Sequence, residues 1–157
     1  MSYIKAVYRD LNLCCDEFIK GVELLEQCSI KDSIRYFKCA FDSVVKNHRL
    51  YSKYKSYYGF SCLLNGDNSA IDMCRCAAKS STSDGDIYLN LARAEAFLSN
   101  RLNALQAITT GLRYAADHEG LKALQKKLGI RIRKPLPILS RDNPVSAALG
   151  KKMRKRY

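Results

Sequence analysis

Apolar residues recur along most of this chain with a helical period, and only about two to four residues separate one periodic segment from the next. In "CSIKDSIRYFKCAFDSVV", Ile30, Ile34, Phe37, Phe41 and Val44 fall on one stripe. Ser29 followed three residues later by Asp32 reads as the start signal of that helix. In "SDGDIYLNLARAEAFLSN", Ser83 and Asp86 repeat the signal, and Ile87, Leu91, Ala94 and Leu98 form the stripe. Asp67 and Asn100 are placed to cap the segments beginning "NSAIDMC" and "RLNALQAI". Links this short force consecutive helices to pack antiparallel, so the pattern predicts an all-α chain of hairpins.

The hairpins share a frame. Aligning the second helix of each, small residues Ser33, Ala70 and Ala104 are followed after four positions by a larger residue, Phe37, Cys74 or Ile108. A small residue follows after seven, Ala40, Ala77 or Gly111. In the first helices the small residues Gly21, Gly59 and Ala92 stand in corresponding places. Small residues there let two helices approach closely, while the larger one fills the gap between neighbouring hairpins.

This frame resembles the tetratricopeptide repeat, with three units over residues 14–47, 52–84 and 85–118, and "DHEGLKALQKKLG" is similar to the capping helix of such arrays. Glu17 and Lys55 stand where those repeats usually carry an aromatic, and no proline ends a unit. The resemblance implies a helical-hairpin solenoid whose first helices line a concave groove. It places Phe18, Lys53, Ser56, Phe60, Leu89, Arg93 and Phe97 on that groove, with Val22, Leu25 and Leu63 suited to core as well. Apolar walls carrying Lys53 and Arg93 suit an extended or helical peptide with some negative charge.

Gly129 separates this body, 1–128, from a different kind of sequence, 129–157. All three prolines lie in the latter, Pro135, Pro137 and Pro144. So do nine basic residues, Arg131, Arg133, Lys134, Arg141, Lys151, Lys152, Arg154, Lys155 and Arg156, against the single acid Asp142. This segment therefore supplies +8 of the formal +12. Pro135 and Pro137 predict extended backbone, and Leu136, Ile138 and Leu139 each forfeit about 1.5 to 3 kcal/mol if left in water. A strap docked on the repeats is the expected arrangement. Asn143, Pro144 and Gly150 bracket a short helix before "KKMRKRY", an end that is either solvated or drawn to nucleic acid or an anionic surface. The tail is similar to the C-terminal extension of certain bacterial tetratricopeptide proteins of unassigned function.

The seven cysteines fall mostly inside helical patterns and read as reduced thiols of a cytoplasmic protein. No run approaches the roughly 18 apolar residues of a membrane span, and nothing resembles a secretory leader. Neither a nucleotide loop nor a nucleophile elbow occurs, and His48 and His118, beside hairpin ends, read as solvated. The expectation is a non-enzymatic adaptor or chaperone that binds a protein or peptide, with no cofactor or metal and an open oligomeric state. The alternative is an RNA-binding or ribosome-associated protein that uses the tail and the tyrosine-rich "HRLYSKYKSYYGF".

Overall fold

The computed structural model describes residues 14–80 and 83–129, and the regular structure among them is entirely helical. The helices are α1 (Asp16–Glu26), α2 (Ile30–Asp42), α3 (Tyr51–Leu64), α4 (Ile71–Ser80, entered through a 3-10 turn at Asn68–Ala70), α5 (Gly85–Phe97), α6 (Arg101–Tyr114) and α7 (Glu119–Leu128). They pack as consecutive pairs, α1 with α2, α3 with α4 and α5 with α6. Each pair meets the next through α2 against α3 and α4 against α5, while α3 also touches α5 and α7 lies on α5 and α6. The result is repeat-like, and among the described residues no helix is long and apolar enough to cross a membrane. The expected basic tail and its strap lie outside the described residues, apart from Gly129. The carbonyl of Gly129 accepts a 2.7 Å hydrogen bond from Arg101 at the start of α6.

The three turns inside the pairs are built alike. Cys28, Gly66 and Ser99 all take left-handed backbone, with φ of 61°, 103° and 63°. In each turn the next amide reaches back to a carbonyl five residues earlier: Ser29 N to Leu24 O (2.8 Å), Asp67 N to Cys62 O (3.1 Å) and Asn100 N to Glu95 O (2.8 Å). A second bond closes each turn, from Cys28 N to Leu25 O, Gly66 N to Leu63 O and Ser99 N to Ala96 O. This is the Schellman termination, which satisfies the last carbonyls of one helix. The residue after the left-handed one then occupies the N-cap position of the following helix.

Capping by side chains follows the sequence only in part. Asp67 accepts from Ser69 N at 3.0 Å, as expected. Ser29 occupies its N-cap position, yet its hydroxyl donates to Asp32 Oδ2 (3.4 Å) rather than accepting from a helix amide. The side chain of Asn100 donates to Glu95 Oε2 (2.9 Å). At α5 the cap is Asp84 instead of Ser83; Asp84 Oδ1 accepts from Asp86 N at 2.9 Å, which leaves the Asp86 carboxylate free to turn inward.

Burial follows the small-large-small frame. Ser33, Phe37 and Ala40 of α2, Ala70, Cys74 and Ala77 at α4, Ala104, Ile108 and Gly111 of α6, and Gly21, Gly59 and Ala92 opposite them are all buried. The longer side chains of the predicted α2 stripe, Ile30, Ile34, Phe41 and Val44, are half-buried flanks. The reason is close approach: a Cβ on Gly21 would stand 2.7 Å from the Phe37 ring, and one on Gly59 would stand 2.7 Å from the Met73 Cβ. Apolar burial forms three successive clusters, centred on Phe18, Phe37 and Tyr54, on Leu63, Ile71 and Cys74, and on Leu89, Ile108 and Leu121. Each draws on neighbouring helices, so stability is spread along the stack.

Candidate functional site

The helices that the sequence assigns to a groove, α3 and α5, differ from their partners. α2, α4 and α6 each bury one stripe. Along α3, Lys53, Tyr54, Ser56, Tyr57, Gly59, Phe60, Ser61 and Leu63 are buried, and α5 is buried continuously from Gly85 to Asn90. Five of the seven groove residues named from the sequence are thus internal: Phe18 and Ser56 at 0% exposure, Leu89 at 2%, Lys53 at 3% and Phe60 at 6%. Phe97 is 54% exposed at the end of α5, and Arg93, one turn before it, is half-buried.

A polar network runs through this enclosed region. Lys53 Nζ on α3 sits 3.0 Å from Asp86 Oδ2 and 3.4 Å from Asp84 Oδ2 at the start of α5. The other oxygen of Asp86 lies 3.0 Å from His118 Nε2 at the start of α7. His118 Nδ1 accepts from Leu121 N and so caps α7, which puts the ring proton on Nε2, where it is donated to Asp86. His118 is therefore an internal connector rather than the solvated residue expected from its position; His48 is exposed.

The ionisation of this group follows from its surroundings. Burial works against the Lys53 ammonium, but Asp86 and then Asp84 outweigh it and raise the lysine above its ordinary pKa. Burial would likewise raise Asp86, yet the hydrogen bond from His118 and the charge of Lys53 hold it below the usual carboxylate value. Asp84 lies on the other side of the balance, raised chiefly by burial. The ammonium occupies the place between two carboxylates where a cation belongs.

Two further polar contacts continue the belt. Asn90 Nδ2 donates to Ser56 Oγ at 3.1 Å, joining α5 to α3. Glu95 accepts from Arg75 Nε (2.9 Å) and Nη2 (3.3 Å), a forked contact that ties α5 to α4. Burial opposes the Glu95 charge, but the Arg75 hydrogen bonds keep its pKa below the ordinary glutamate value. Asp86 was read from the sequence only as part of a helix start signal, and Asn90, Glu95 and His118 were not identified as interacting residues. For Asp86, Asn90 and Glu95 the signal is a polar side chain on an otherwise enclosed helix, visible only once the neighbouring pairs are in place.

The tyrosine-rich helix is packed against protein rings. Phe18 stacks on Tyr54 at 4.6 Å between centroids and meets Tyr57 edge-on at 4.9 Å. Phe41 covers Tyr51 (5.0 Å) and Tyr58 (5.9 Å). The Tyr54 hydroxyl accepts from Cys15 N at 3.0 Å. These rings stitch the first pair to the second, and their faces are spent on that contact. No family model matches the chain, and no curated protein is significantly similar to it.

Proposed function

We propose that this chain is a cytoplasmic, non-enzymatic protein-interaction module, a solenoid of three tetratricopeptide-like pairs with α7 as its cap. It acts as an adaptor or chaperone that holds a peptide or partner helix. The observation that carries the reading is the coincidence of the sequence frame with the packing: the small and large frame positions of all three pairs are buried, and all three pairs turn through the same left-handed geometry. A stack of alike pairs presents a continuous side surface, and such surfaces bind extended partners.

The docking edge in this reading is the end of α5, where the exposed Phe97 offers apolar area. The internal residues Phe18, Lys53, Ser56, Phe60 and Leu89 fix the curvature of the stack beneath it. Basic tail residues 129–157 would dock on the same body. Photo-crosslinking tests the edge: a crosslinking side chain at position 97 of the full chain should capture defined protein partners in cells, whereas one at the exposed Val45 should not. Equal capture at both positions, or adducts to RNA alone, would contradict the assignment.

A further inference from the structure

The loop between α2 and α3, together with residues of α3 and α4, lines a cavity of about 500 Å³. Lys46, His48 and Arg49 from the loop, Lys55 from α3, and Cys76 with Ser80 from α4 contribute to its wall. No carboxylate is among its described lining residues. Lys55 Nζ stands 3.0 Å from Cys76 Sγ, and the ammonium lowers the thiol's pKa. Cys76 is exposed, so its sulfur is accessible in a cationic cavity, beside an ammonium that favours its thiolate form.

We infer that this cavity is an anion-binding site in which Cys76 forms a mixed disulfide with a small, carboxylate-bearing disulfide such as the glutathione class. The cations hold the incoming carboxylates, and Ser80 and the loop supply further polar contacts. The Cys76 thiolate attacks one sulfur of the bound disulfide, a new Cys76 S–S bond forms and the original S–S bond breaks. The departing half leaves as a thiolate with the electron pair and takes a proton from solvent; it is reduced and Cys76 is oxidised. Cys74, two residues away, cannot resolve the product. It lies on the buried face of the helix, 0% exposed, with its thiol pushed up to about 12 by burial. The adduct therefore persists until an external thiol removes it, and it sets two carboxylates among the cations of the cavity.

The chain supplies its own controls. Cys28 and Cys39 are also exposed, but Cys39 borders a separate cavity where Asp32 accompanies Lys20 and Arg35. The reduced full-length protein is treated separately with oxidised glutathione, neutral hydroxyethyl disulfide and cationic cystamine, and adducts at each cysteine are timed by peptide mass spectrometry. Because thiolate fraction alone favours all three reagents, the diagnostic is charge preference. Oxidised glutathione should modify Cys76 about tenfold faster than Cys28 or Cys39, with cystamine reversing the order, and salt should erode the preference. In Lys55→Gln and Arg49→Gln, the first half-buried and the second exposed, the preference should fall several-fold while the thermal melt is unchanged. Modification of Cys76 no faster than of Cys28, or a preference indifferent to reagent charge, would overturn the inference. The reagent series on the unaltered protein decides it even if a variant fails to fold.

Discussion

Lys53 Nζ and Asp86 Oδ2, on two different helix pairs, meet at 3.0 Å with the lysine 3% exposed and the aspartate 7%. Buried charges of this kind set which helix faces which, because either one alone is costly to bury. Lys53→Met leaves the buried Asp86 and the half-buried Asp84 without their cation, and Asp86→Ala strands the ammonium and unlatches His118. Each should cost about 3 to 5 kcal/mol in urea unfolding. The pair Lys53→Met with Asp86→Ala should be less damaging than the two costs combined, by at least about 1 kcal/mol. Strict additivity would show that the two side chains do not act together.

The left-handed turns give a prediction of opposite sign. Cys28 and Ser99 hold a conformation that costs a side-chain-bearing residue about 1 kcal/mol relative to glycine. Cys28→Gly and Ser99→Gly should each stabilise the protein by about 0.5 to 1 kcal/mol, and Gly66→Ala should destabilise it by about 1 kcal/mol. Denaturant midpoints measured together on the three variants check this, since a shared turn geometry requires all three signs.

Close approach between helices is testable at Gly111, where an added Cβ would lie 2.7 Å from both Leu121 Cδ1 and Tyr88 Cβ. Gly111→Ala should push α7 off α6 and cost about 1 to 3 kcal/mol. Faster hydrogen exchange in α7 should accompany the loss; an unchanged α7 would place the strain elsewhere.

Acid should loosen the same network. Asp86 and Glu95 titrate below their ordinary values of 3.8 and 4.5 in the folded protein, so the unfolded chain takes up their protons first as pH falls. Their contribution is complete above those values and is lost as pH drops through the folded ones. Asp84, raised by burial, has the opposite sign and favours the folded state on mild acidification. Stability should therefore hold to about pH 5 and fall below about pH 4. Glu95→Gln should flatten that acid limb, which urea midpoints taken across the range will show.

The pairing of helices was legible in the sequence because close contact demands small side chains, and Gly21, Gly59, Ala92 and their partners recur at a helical spacing. The common turn was obscured, since Cys28 and Ser99 adopt a backbone for which glycine is the usual signature. Lys53 and Ser56 were read as groove residues, yet both are buried, and their partners Asp86 and Asn90 come from the next pair and meet them only through stacking. Enclosure of α3 and α5 was likewise not readable from their own periodicity: a helix surrounded by neighbours buries polar residues that, in isolation, look like surface. His118 shows the same effect, because its role as cap and connector depends on α7 folding back over α5.

The central claim, a repeat stack that binds protein through the exposed end of α5 at Phe97, is tested most directly by quantitative affinity capture from lysate of the source organism. The full-length chain is compared with Phe97→Asp and with Val45→Asp, each with and without ribonuclease. The account predicts a defined set of protein partners that survives ribonuclease, is retained by Val45→Asp and is lost with Phe97→Asp while the melting temperature stays the same. Capture that vanishes with ribonuclease and ignores Phe97 would contradict it and make the helical pairs a scaffold for a nucleic-acid anchor.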